Sequence, residues 1–241
     1  MEVRGSRECK SCGERFSYYE TGSPACPACG SVYTVGVGDR ELHTDRPAEL
    51  DVEDALRALE SGADRDAGEA AASVARTYLT RRGFINGGDL RPLTDAYVAA
   101  HEIKHAAALL DRATPRGVDG ESVDREYVRS LLVAASEGTR PPADAVPDSM
   151  RGPRGLGVAG AVGDYHDELK TWLEHEDRDR SITRLLERLE SHVRRFEALE
   201  GTVDPAESER LLEAARTIGA SLRGESSDPE AVEDAFDSLA D

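Results

Sequence analysis

Cys9-Lys10-Ser11-Cys12-Gly13 and Cys26-Pro27-Ala28-Cys29-Gly30 hold all four cysteines of the chain, in the order Cys-x2-Cys, thirteen residues, Cys-x2-Cys. A Cys-x2-Cys turn aims two thiolates at one point, and the glycine after it permits a tight backbone. Two such turns supply four sulfurs for a closed tetrahedral site. The spacing therefore predicts one structural zinc ion on Cys9, Cys12, Cys26 and Cys29. Iron on the same four sulfurs is the competing metal. A redox pair needs only one such turn, on an α/β fold that the rest of the chain does not suggest.

The flanking residues fit short strands. Phe16 and Tyr18 alternate within residues 15–20, and Val32, Val35 and Val37 sit among small residues in 31–38. Thr21-Gly22-Ser23-Pro24 reads as a turn. The expected unit is a small zinc ribbon, two knuckles on a β-hairpin, over residues 1–40. So short a segment buries too little apolar surface to fold alone. Metal binding, worth roughly 10–16 kcal/mol in small zinc peptides, supplies the difference.

The stretches Arg7-Glu8-Cys9-Lys10-Ser11-Cys12-Gly13, Ser17-Tyr18-Tyr19-Glu20-Thr21-Gly22-Ser23 and Cys26-Pro27-Ala28-Cys29-Gly30-Ser31 resemble an uncharacterised haloarchaeal family. That family carries an N-terminal zinc ribbon of the transcription-factor-B type. The match covers about residues 4–38, with a weaker likeness in 78–93. The resemblance implies a fold and assigns no activity.

Composition points the same way. The net charge is −18, and only Lys10, Lys104 and Lys170 are lysines, so arginine supplies nearly all the cations. Carboxylates hold water and cations when water activity is low, and guanidinium is more weakly hydrated than ammonium. Salt screens the self-repulsion. The expectation is a halophilic, acidic protein. Residues 1–40 are neutral, with five basic and five acidic side chains, so the excess charge lies beyond them and marks a boundary near residue 40. No stretch approaches the ~18 consecutive apolar residues of a membrane span. Met1-Glu2-Val3-Arg4-Gly5 carries no apolar signal segment. A cytoplasmic location with no membrane partner is expected.

After Pro47 the apolar residues repeat at three and four. Helices are expected over 51–60, 66–82 with Gly83 as C-cap, 92–110 and 122–136. Residues 138–157, rich in proline and glycine, read as a linker or long loop. Helices resume over 158–175. Ile182, Leu186, Leu189, Val193 and Phe196 form a short heptad seam, better suited to a bundle core than to a dimer. Asp204-Pro205 and Asp228-Pro229 each combine an N-cap with proline at the first helical position. No strand is expected after residue 40. The organisation is thus a ribbon over 1–40, a mainly α-helical bundle domain in two parts, 41–137 and 158–241, and the linker between them.

Two motifs test for chemistry. His101-Glu102-Ile103-Lys104-His105 matches H-E-x-x-H on an expected helix, the pattern of a metal-dependent, zinc-hydrolase-like enzyme. Lys104 places a cation inside the motif, no H-x-x-G-x-x-H continuation follows, and Glu121 or Glu126 is only a distant candidate ligand. The alternative is two histidines on the polar flank of a helix, paired with carboxylates. Gly155-Leu156-Gly157-Val158-Ala159-Gly160 matches G-x-G-x-x-G but lacks the strand a dinucleotide site requires. It suits a flexible helix entry with small residues for close packing.

Function then falls to the ribbon. Phe16, Tyr18, Tyr19 and Tyr33 concentrate the scarce aromatics there, beside Lys10 and Arg15. Arg15, Tyr18 and Tyr19 are the candidate contacts. The ribbon either caps its own acidic bundle or meets a partner, a protein ahead of nucleic acid because so acidic a chain repels phosphate. A non-enzymatic interaction or scaffold protein is the expected class.

Overall fold

The computed structural model describes residues 1–112, 120–174 and 180–225. Its N-terminal part is built from strands β1 (Glu2–Val3), β2 (Ser6–Cys9) and β3 (Arg15–Ser17), a helical turn α1 (Tyr18–Thr21), and strands β4 (Thr34–Val37) and β5 (Glu41–Leu42). The main sheet is antiparallel in the order β3-β2-β4, and β1 pairs with β5. The strands after the two cysteine turns therefore do not pair with each other, as a simple hairpin requires. Both pair with β2, with Glu8 opposite Arg15 on one side and Val35 on the other.

Tyr18 and Tyr19 lie on α1, not on a strand. Ser17 caps that turn by accepting from the Glu20 N–H at 3.4 Å, and Gly22 closes it in the left-handed conformation. Here a local side-chain cap overrides the aromatic strand preference.

The rest is mostly helical. Helix α2 (Glu53–Glu60) and α3 (Asp64–Arg81) precede a hairpin of β6 (Ile85–Asn86) and β7 (Asp89–Leu90). These two strands and β5 lie beyond residue 40, where none was expected. The two-residue loop of the hairpin, Gly87-Gly88, has positive φ at both positions, the requirement of a tight hairpin turn. Gly83 is not a left-handed cap. It gives room to a side-chain contact, since a Cβ there would lie 2.5 Å from Thr44 Oγ1.

Helices α4 (Asp95–Arg112) and α5 (Gly120–Ser136) follow, then two 3-10 turns, then α6 (Arg151–Leu173), α7 (Arg180–Ala198) and α8 (Pro205–Leu222). Helix α6 starts seven residues earlier than expected, inside the stretch read as a linker; residues 138–150 do run as loop and turns. Pro153 sits in the first turn, where the N–H groups have no intrahelical partner. Close packing outweighs the low helix propensity of the glycines. A Cβ on Gly155 would lie 2.1 Å from the Gly201 carbonyl oxygen, one on Gly157 2.7 Å from the Glu102 Cα, and one on Gly160 2.5 Å from His101 Nδ1. The G-x-G-x-x-G stretch is thus a contact face in a continuous helix, not a flexible entry.

Helix α4 lies at the centre, between α3 and α6, with α5 alongside. Ala67, Ala71 and Ala75 of α3 are fully buried at intervals of four, which brings α3 close to α4. Leu186, Leu189, Val193 and Phe196 of α7 are buried in the common core, as the seam predicted for a bundle. Asp204 caps α8 through the Ala206 N–H at 2.8 Å, with Pro205 at the first position. Asp228-Pro229 lies outside the described residues. Among the described residues, no helix is long and apolar enough to cross a membrane.

Candidate metal centre

The two cysteine turns share one bonding scheme. The Cys9 N–H donates to the Glu14 oxygen at 2.8 Å and the Gly13 N–H to the Cys9 oxygen at 2.9 Å. The Cys26 N–H donates to the Ser31 oxygen at 2.9 Å and the Gly30 N–H to the Cys26 oxygen at 2.8 Å. Gly13 and Gly30 both take positive φ, which glycine adopts without strain. The Ser11 and Ser31 hydroxyls meet at 2.9 Å and tie the two turns together.

The sulfurs converge. Cys9 Sγ lies 3.7 Å from Cys29 Sγ, and Cys12 Sγ lies 3.6 Å from Cys26 Sγ. A tetrahedron with metal–sulfur bonds of about 2.3 Å has edges of about 3.8 Å. A disulfide needs about 2.05 Å. The four thiols therefore fit one metal ion. Among the described residues, they are the only group of three or more His, Cys, Asp or Glu side chains close enough to share one.

The electrostatics agree. Burial opposes the Cys9 thiolate, but N–H groups of Cys12 and Ser11 and the neighbouring thiols outweigh it and hold its pKa down to about 6. Cys12 has the Glu14 N–H in its favour, yet crowding by Cys29 and Cys26, together with burial, pushes it up to about 12. One thiolate forms readily, and further ionisation requires a cation in their midst.

The candidate contact residues separate. Arg15 is exposed and pairs with Glu8 at 3.2 Å. Tyr18 and Tyr19 turn inward, with ring centroids 5.9 and 4.4 Å from that of His43. The Tyr19 hydroxyl donates to Glu41 Oε2 at 2.9 Å, and its ring lies against Gly87, where a Cβ would come within 2.7 Å. Behind that hairpin, Trp172 Nε1 donates to the Gly88 oxygen at 2.8 Å. Tyr19 thus joins the N-terminal sheet to the helical body. The apolar groups facing solvent are others: Val32 is 77% exposed, Tyr33 70% and Val35 38%. The sequence signal for them was present, since they follow the second cysteine turn directly.

The H-E-x-x-H residues occupy a different environment from the polar flank expected. His101 and Glu102 are buried in the core. Glu102 Oε2 accepts from Arg154 Nη1 at 2.6 Å, and Oε1 accepts from the Tyr127 hydroxyl. His101 Nε2 meets Asp164 Oδ2 at 2.9 Å, and the Tyr97 hydroxyl donates to that same oxygen at 2.9 Å. Burial opposes ionisation of Asp164, yet the His101 and Tyr97 hydrogen bonds hold it below the usual carboxylate range. Glu126 pairs with Arg129 on its own helix, and the Glu121 side chain lies outside the described residues. His101 and Glu102 are thus engaged separately with the protein, and the glutamate is neutralised by a guanidinium.

His105 is half-buried, and burial, with the Lys104 and His101 charges, lowers its pKa from 6.5 to about 4. The unfolded chain therefore takes up this proton first. Its contribution to stability is complete above pH 6.5 and is lost as pH falls toward 4. We expect the melting temperature of wild type to fall more steeply over that window than that of His105→Gln. Parallel slopes would show that His105 does not carry the effect.

A mainly helical chain with a four-cysteine cluster near its N-terminus that could hold a metal ion is the class these observations define. The chain belongs to a family of unknown function, DUF7117, whose model matches residues 1–239. Comparison with the curated proteins and with the solved structures gives no match.

Proposed function

We propose that this is a zinc-binding, non-enzymatic interaction protein of the halophilic type. A ribbon of the transcription-factor-B type, fixed to a helical bundle, presents its outer surface to a protein partner. One observation carries the reading. Tyr19 is spent on internal docking, while Val32, Tyr33 and Val35 remain exposed beside the cysteines. Exposed apolar and aromatic groups with cations at the rim are the composition of a protein-binding surface. Lys10 and Arg15 supply those cations, and the Lys10 N–H is bonded to the Tyr33 oxygen at 2.9 Å. The excess negative charge beyond residue 40 favours a protein over nucleic acid. Zinc is the resident metal in this reading because four thiolates and no open position make a structural site.

The test is capture from the native cell at high salt. Val32→Ser with Tyr33→Ala should keep metal and melting temperature and lose the captured protein. Tyr19→Ala should instead lower the melting temperature. Unchanged capture by the Val32/Tyr33 double variant rejects the surface, and capture of nucleic acid alone rejects the partner class.

The halophilic reading has its own measurement. Screening by molar KCl should raise the melting temperature over that in dilute buffer, where the repulsion of −18 net charges acts over a longer Debye length. An equal or higher midpoint in dilute buffer contradicts it.

A further inference from the structure

A cavity of about 320 Å³ opens between the end of α3, the hairpin β6–β7 and the start of α4. It is separate from the cysteine centre and from the buried Glu102–Arg154 pair. Its walls include the rings of Tyr78, Phe84 and Tyr97, each more than nine-tenths buried. Phe84 meets Tyr97 edge-on at 4.7 Å, and Tyr78 and Tyr97 lie 6.4 Å apart. That volume is at the small end for ligand pockets, so a single ring fills it.

The polar residues of the lining are Asp45, Arg82, Asn86, Arg91 and Thr94, beside the Tyr78 hydroxyl. Arg82 is already neutralised, because its Nε pairs with Asp45 Oδ1 at 3.0 Å. Arg91 is exposed, and among the described residues no carboxylate pairs with it. Tyr78 is 7% exposed, and no hydrogen bond engages its hydroxyl among the described residues, although those of Tyr97 and Tyr127 are both bonded. Burial keeps this phenol protonated and able to donate.

We infer that this cavity is a binding site for a small planar carboxylate with one aromatic ring and a polar group at its far end. The ring packs against Tyr78, Phe84 and Tyr97. The carboxylate pairs with Arg91, whose planar fork matches carboxylate geometry. The far polar group meets the Tyr78 hydroxyl.

The probe is 4-hydroxybenzoate, titrated into the full chain at fixed KCl and followed by NMR or calorimetry. Its neutral control is 4-hydroxybenzamide. We expect saturable binding of the acid and about tenfold weaker binding of the amide, the cost of one charge-assisted hydrogen bond. Arg91→Gln should abolish the preference for the acid, and Tyr78→Phe should weaken both ligands. Arg91 is on the surface and Tyr78→Phe keeps the ring, so both variants should retain the wild-type melting temperature. Absence of saturable binding by the acid overturns the site. So does equal affinity for acid and amide, or an acid preference that survives Arg91→Gln.

Discussion

Cys26→Ser should dissolve the N-terminal sheet and leave the helical body folded. The sheet offers little else to hold it. Its three strands are three or four residues long, and its buried apolar side chains are the metal-site cysteines Cys9 and Cys26. With one ligand gone, the remaining thiols lose a metal worth roughly 10–16 kcal/mol in comparable peptides. Hydrogen exchange should show protection collapse over residues 6–37 and persist in α3, α4 and α6. The melting temperature of the body should fall only modestly, through loss of the Tyr19 contact with His43 and Gly87. A variant that keeps its sheet protected would show that the strands fold without metal.

The second large effect is expected inside the body. Glu102 and Arg154 form an ion pair with both side chains fully buried. It belongs to a chain of charges. Arg154 Nη2 donates to the Pro141 oxygen, Glu209 accepts both terminal nitrogens of Arg140 at 3.2 and 2.7 Å, and Asp95 accepts from Arg140 at 3.0 Å and Arg216 at 2.8 Å. This network ties α4 to α6, α8 and the loop after α5. Removing one partner leaves the other charged and out of water. Glu102→Gln or Arg154→Met alone should cost about 3–5 kcal/mol, which for a chain of this size lowers the melting temperature by ~10 °C. Glu102→Leu with Arg154→Met removes both charges and should recover most of the loss. If Glu102→Gln melts like wild type, the pair is not what stabilises the core, and a functional role for the motif returns.

The same residues show what the sequence discloses and what it hides. The cysteine site was legible because its determinants are local: two residues between thiols, a glycine after each pair. The start of α8 was legible for the same reason, since Asp204 and Pro205 act within one turn. Helix α4 was not. Its apolar stripe suggested one buried face and a polar flank carrying His101 and His105. Small residues of α3 and α6 instead let neighbours approach from two sides, and His101 and Glu102 became core. The partner of Glu102 sits 52 residues away, at Arg154, in a stretch whose glycines read as loop. Glycine in isolation weakens a helix, yet here it admits the Glu102 backbone. Tyr19 was misassigned by the same kind of nonlocal contact: its exposure depends on Gly87, on a hairpin of two-residue strands too short to show periodicity.

The central claim is that four cysteines and one zinc ion build the N-terminal part of this protein. Native mass spectrometry of the full chain, purified without chelator, tests it most directly. The account predicts a mass increase of one zinc per chain, absent from Cys26→Ser. A wild-type chain that carries no metal and keeps a protected N-terminal sheet, or one that carries iron instead, would contradict it.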